Sequence, residues 1–155
     1  MELLKLVALD PEDLAVISAH LQDALVRVGD LACLPRERRF ALAVRRFDWE
    51  TDPDEPPRRR LAAVHFERVR AVRARGIDRG NPDRVLNLLA ITFTETDGPS
   101  GCATLLFSEG AIQLDLECIE GQMKDLGPVW EAESRPRHDL PDDGHDHRDE
   151  LRAGA

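Results

Sequence analysis

Apolar positions along this chain follow two periods, and the period changes from segment to segment. The run Val85–Phe93 is apolar at both parities: Val85, Leu89, Ile91 and Phe93 on one side, Leu86, Leu88 and Ala90 on the other. A run this short, ending in Thr92-Phe93-Thr94, fits a strand covered on both faces, although periodicity alone does not exclude a buried helix. It predicts the central strand of an antiparallel sheet. Further on, Ile112, Leu114, Leu116 and Cys118 alternate with Gln113, Asp115 and Glu117. That is a strand wet on one face. It pairs as a hairpin with Cys102–Phe107 across the turn Ser108-Glu109-Gly110.

Nearer the N-terminus the period is helical. Leu14, Ile17, Leu21, Ala24, Leu25 and Val28 recur at spacings of three and four, which predicts a helix over 11–28. Asp10 is its cap, Pro11 its first position, Glu12 and Asp13 complement its dipole, and Gly29 stops it. Before it, Leu3–Ala8 reads as an edge strand or an extended lead-in. After it, 31–34 reads as a short strand and 39–48 as a longer one. In the longer strand Phe40, Leu42 and Val44 share one parity and Phe47 and Trp49 the other, so a β-bulge is expected at Arg45-Arg46. Residues 58–75 read as one long bent strand, with a helix as the alternative because Ala and Arg abound. Asp52–Pro57 is an acidic loop, and Gly76–Pro82 a glycine-bearing one. Ile119–Leu126 reads as a short helix, and Trp130 is expected to pack back onto the domain.

The fold class expected from these elements is α+β. It is a mostly antiparallel sheet of about six strands, with one long N-terminal helix and a short C-terminal helix. A meander ending in a helix is compatible with a PH-like barrel, by analogy alone. One domain is expected over 1–130. Residues 131–155 are polar and acidic and are expected to be a disordered tail.

Composition narrows the classes of function. At 155 residues the chain is long enough to bury a full core. No apolar run approaches the roughly 20 residues that span a bilayer, and the N-terminus lacks the parts of a signal peptide, so the cytoplasm is the expected compartment. Three cysteines, Cys33, Cys102 and Cys118, without close spacing argue against a disulfide framework or a cysteine-based zinc site. The net charge of −9 disfavours nucleic acid. The charge is unevenly placed: Pro35–Arg79 holds 13 Arg against 8 Asp or Glu, a balance of +5, which leaves −14 for the rest. A basic face of this kind suits an acidic protein partner or a small anionic ligand, although paired, solvated arginines would give the same pattern.

The candidate site is the loop after the 58–75 segment. Arg73, Arg75, Arg79 and Arg84 lie among Gly76, Asp78, Gly80 and Asn81. Glycine permits close backbone approach, and Arg grips carboxylate or phosphate through two parallel hydrogen bonds. No phosphate-loop or dinucleotide fingerprint accompanies them. His65 and Glu67 would share a face of a regular strand; such a pair could do acid–base work, although a structural pair is the more frequent arrangement. The tail collects His138, Asp139, Asp142, Asp143, His145, Asp146 and His147, a set that an acidic tail also produces by chance. No catalytic residue, metal ligand or cofactor site is assigned. The expected function is a non-enzymatic binding or adaptor module. The alternative is a small enzyme or metabolite-binding protein with a pocket near 73–84. The oligomeric state stays open.

Several stretches carry a resemblance. L-K-L-V-A-L-D-P-E-D-L at 4–14, R-R-F-D-W-E at 45–50, R-A-R-G-I-D-R at 73–79, V-L-N-L-L-A-I at 85–91 and L-E-C-I-E at 116–120 resemble a bacterial family catalogued as domain of unknown function 2948. The resemblance covers about residues 4–130 and leaves out the acidic tail. It implies no activity and no catalytic residue.

Overall fold

Alternating burial, more than helical stripes, organises this chain. The structure, a computed structural model, describes residues 3–49, 54 and 56–131. In order these form β1 (Lys5–Ala8), α1 (Pro11–His20), β2 (Ala24–Arg27), a 3-10 turn (Val28–Asp30), β3 (Leu31–Leu34) and β4 (Arg39–Phe47). Then follow β5 (Arg58–Phe66), β6 (Val69–Arg75), β7 (Val85–Asp97), β8 (Ser100–Phe107), β9 (Ala111–Leu116) and β10 (Gly121–Glu131). Every pairing is antiparallel, in the order β1-β10-β5-β4-β2-β7-β8-β9-β6. The sheet forks at β4. Its first half pairs with β3 through Leu31↔Leu42 to Leu34↔Arg39, while its second half meets β2 at Leu25↔Arg45. β2 then carries the sheet on to β7.

The expected α+β class with a long N-terminal helix and about six strands is therefore overturned: the described residues hold ten strands and one short α-helix. The helix starts as its sequence dictates. Asp10 accepts the Asp13 N–H at 2.8 Å, and Asp13 in turn accepts the Leu9 N–H at 3.0 Å. It stops at His20, well short of residue 28. Asp23 takes a positive φ of 62°, and from there Ala24, Val26 and Val28 are buried at every second position. Those residues satisfy both periods. The backbone bonds offered by β7, beginning with the Asp23 N–H to the Leu88 carbonyl at 2.8 Å, decide for strand.

The short helix expected at Ile119–Leu126 is also absent. Ile119, Gly121, Met123 and Asp125 are buried in alternation, Leu126 is exposed, and the segment is β10, clasped between β1 and β5. A PH-like barrel closed by a terminal helix fails with it. The expected bulge at Arg45-Arg46 does not occur, because β4 pairs with β5 without interruption from Phe40↔Phe66 to Phe47↔Arg59. The parity slip has another cause: the second half of β4 is buried on both faces. The 58–75 segment is strand, as read, but it is broken. Arg68 at φ 59° turns the chain between β5 and β6, which then pair with different neighbours.

β7 is the interior strand expected of Val85–Phe93. Leu86, Leu88 and Ile91 are buried, and a register shift between Leu88 and Ala90 moves the core parity by one. The Ile91 N–H beside that shift is accepted by Ser18 Oγ at 2.9 Å, which docks α1 onto the strand. β8 and β9 form the expected hairpin. The core gathers Leu14, Ile17 and Leu21 of the helical segment against Leu86, Leu88, Leu105, Leu114, Phe66 and Met123 of the sheet. No helix among the described residues is long and apolar enough to cross a membrane. Most of the acidic loop, the Trp130 side chain and the tail beyond Glu131 lie outside the described residues.

Candidate functional site

Two features remain once the core is accounted for. The first is a group of buried charges at one end of β4, β5 and β10. Arg46 and Asp125 are 1% and 2% exposed, and Arg46 Nε and Nη2 each donate to the Asp125 carboxylate at 2.8 Å. Asp125 also accepts the Leu4 N–H at 2.9 Å and returns its own N–H to the Leu4 carbonyl at 2.8 Å, so the pair ties β10 to the lead-in of β1. Alongside, Arg60 Nε donates to buried Asp48 at 3.0 Å. Burial alone would raise the Asp125 carboxyl. The Arg46 hydrogen bonds, the Leu4 N–H and the charges of Arg46 and Arg60 outweigh it and hold the group below its ordinary value. Arg59 donates to the Asp23 and Arg45 carbonyls and lies 5.9 Å from the Phe47 ring centroid. These bonds tie this end of the sheet together, although Arg60 Nη1, itself buried, finds no hydrogen-bond partner among the described residues.

The second feature is a slot between β3 and β6. β3 pairs only with β4 and β6 only with β9, which leaves an unpaired edge on each. The Val69 N–H reaches the Arg38 carbonyl at 2.9 Å and closes one end. Next to that closure lies a hollow of about 290 Å³ lined by Cys33, Pro35, Val69, Ala71, Val72 and the arginines 38, 39 and 70. Cys33 and Val72 also line a smaller apolar hollow, where Leu31, Phe40, Ala74, Ile77 and Ile112 meet Arg79. The slot thus runs from a cationic mouth to an apolar groove.

Two of its arginines are already engaged. Arg38 pairs with Glu117 at 2.8 Å, and Arg39 with Glu67 at 2.8 Å. Arg70 and Arg79 make no ion pair with any described residue. Glu67 accepts from His65 Nδ1 as well, at 2.8 Å, so these two share a face as their spacing implied. Burial opposes the Glu67 charge, but the bonds from Arg39 and His65 prevail and hold its carboxyl below the ordinary value. A carboxylate held by the Arg39 guanidinium and the His65 ring is an anchor and a poor proton acceptor.

The four arginines singled out in the sequence are not gathered at one point. Arg79 lines the apolar hollow. Arg73 and Arg75 sit at the same parity of β6, both exposed, and Arg73 grips Asp115 through bonds of 2.7 and 3.0 Å, which holds the Asp115 carboxyl below its usual range. Arg84 precedes β7 and offers its carbonyl to the Val28 N–H. Much of the +5 surplus is neutralised by distant acids: Glu117, Asp30, Asp125, Glu120 and Asp115 pair with Arg38, Arg45, Arg46, Arg68 and Arg73. The slot itself was missed, because only the tertiary fold brings β3 beside β6. A partial signal was present, since exposed Ala71 and Ala74 sit among arginines in a strand that offers the core little. Among the described residues no group of three His, Cys, Asp or Glu could hold a metal ion, and the His/Asp-rich tail lies outside them.

No curated protein and no solved structure matches the chain. A family comparison matches residues 4–138, which takes in all ten described strands. The chain therefore belongs to the family described as protein of unknown function (DUF2948).

Proposed function

We propose that this protein is a non-enzymatic binding module that takes an acidic partner or anionic ligand in the slot between β3 and β6. The observation that carries the reading is Arg70 and Arg79. Both flank an accessible groove, and neither makes an ion pair with a described acid, although the Arg70 charge also acts on Asp115. An unneutralised guanidinium beside an apolar wall binds carboxylate or phosphate more strongly than one in open water, because fewer solvent dipoles compete. Arg75, on the outward face of the same strand, extends the positive field and steers an anion toward the mouth. The Arg39–Glu67–His65 chain serves this reading as scaffold, fixing Arg39 at the wall.

A direct test uses a glutamate-rich peptide and a lysine-rich peptide of equal length as probes. Binding is read by fluorescence anisotropy and by protection of Cys33 from alkylation. The glutamate-rich probe is expected to bind, to weaken with added salt, and to shield Cys33. An Arg70→Ala/Arg79→Ala variant, which breaks no ion pair among the described residues, should fold normally and lose that binding. Equal binding of both probes, or undiminished binding by the folded variant, refutes the proposal.

A further inference from the structure

We infer that the slot captures its partner by strand addition: an extended acidic segment pairs with the free edge of β6. The inference rests on the anionic-partner reading above and adds the mode of capture and the pattern of the captured segment. Four observations converge on it.

β6 is paired on one side only, through six residue pairs with β9. Half of the backbone groups of such a strand face away from its neighbour. The Val69 N–H shows where that free edge points, since it is taken by the Arg38 carbonyl at the closed end of the slot. Beyond it, no backbone hydrogen bond among the described residues joins 70–75 to β3. Five of the seven β6 residues are exposed: Arg70, Ala71, Arg73, Ala74 and Arg75. Two of these are alanines, so little side chain shields the main chain there.

The walls supply the side-chain preference. A strand laid along β6 turns alternate side chains to opposite faces. One set would reach the hollow of about 30 Å³ where Phe40, Val72, Ile77 and Ile112 meet Arg79, which has room for one small apolar side chain. Arg79 at that hollow and Arg70 at the cationic mouth suit Glu or Asp where the segment passes them. Proteins commonly guard an exposed edge with charge. An apolar hollow beside that edge works in the opposite sense, because it rewards whatever covers it. Main-chain pairing gives affinity and the alternate pockets give selectivity in this mode of recognition.

The probe is acetyl-Glu-Val-Glu-Ile-Glu-Val-Glu-amide, presented to the full chain and followed by anisotropy and by amide hydrogen exchange. Three companions share its composition: one N-methylated at alternate residues, one N-methylated at the remaining residues, and one with scrambled order. Strand addition predicts that one methylated set binds about tenfold more weakly while the other is nearly unaffected. It also predicts that alternate amides within 70–75 gain protection and that scrambling weakens binding. Equal tolerance of both methylated sets, with binding still lost in Arg70→Ala/Arg79→Ala, overturns strand addition and leaves the anionic-partner reading standing. Failure of every acidic probe overturns both. Protection of 70–75 that grows with protein concentration and needs no peptide identifies a second copy of the chain as the occupant, and overturns the acidic-segment proposal.

Discussion

Asp125→Asn is the most informative single substitution in this fold. The wild-type carboxylate lies against Arg46, both groups are almost wholly buried, and two bonds of 2.8 Å join them. Asparagine keeps one oxygen for the Leu4 N–H but leaves the Arg46 guanidinium buried against a neutral amide. Removing one partner of a buried pair costs about 3–5 kcal/mol, and the retained oxygen places this case near the lower figure. With a urea dependence of about 2 kcal/mol per molar for a small domain, the unfolding midpoint should fall by roughly 1.5 M. Arg46→Met/Asp125→Asn then removes the stranded charge while keeping the acceptor for Leu4. It should be more stable than Asp125→Asn alone, since an absent charge needs no solvation. The pH dependence follows from the same pair. The folded carboxyl sits below its ordinary value of 3.8, so the stabilisation is complete above that value and is lost as pH falls through the lower folded one. The gap between wild type and Asp125→Asn should therefore narrow in acid. Equilibrium urea unfolding at neutral and acidic pH measures both effects. A loss below about 1 kcal/mol for Asp125→Asn, or a double variant equal to the sum of the two single ones, would refute the reasoning.

Three further outcomes are expected from the same unfolding assay. Gly101→Ala should destabilise by about 1–3 kcal/mol, because its new methyl would meet the Phe93 ring and the Thr94 carbonyl across the β7–β8 pair. At the β5–β6 corner, where Arg68 holds φ 59° and its pair with Glu120 is exposed, Arg68→Gly should be neutral or slightly stabilising, while Arg68→Val should cost about 1–2 kcal/mol. Leu88→Ala, in the fully buried middle of β7, should cost about 2–5 kcal/mol, with the upper end expected if the helix and sheet cannot close over the vacated space.

Local chemistry alone determined a good deal of this protein. The Asp10 cap and Pro11 start α1, the alternation from Ile112 to Leu116 makes a strand, and the dense apolar run at Val85 makes an interior one. These elements obey short-range rules, so their residues suffice to announce them. The stretches 21–28 and 119–126 do not, because their apolar residues satisfy helical and extended periods alike. Only the backbone partners on β7, and on β1 and β5, decide for strand. Arg45-Arg46 misled for a related reason: burial on both faces imitates a phase slip, and the second face is invisible until β2 and β5 are in place. The candidate site was legible only as a surplus of arginine. The fold spent most of that surplus on distant carboxylates such as Asp125 and Asp115. It left Arg70 and Arg79 beside a groove whose walls are nearly forty residues apart in sequence. Charge count is a property of composition. Which charges remain unneutralised, and what apolar surface lies next to them, depends on which strands become neighbours, and that is settled by tertiary pairing.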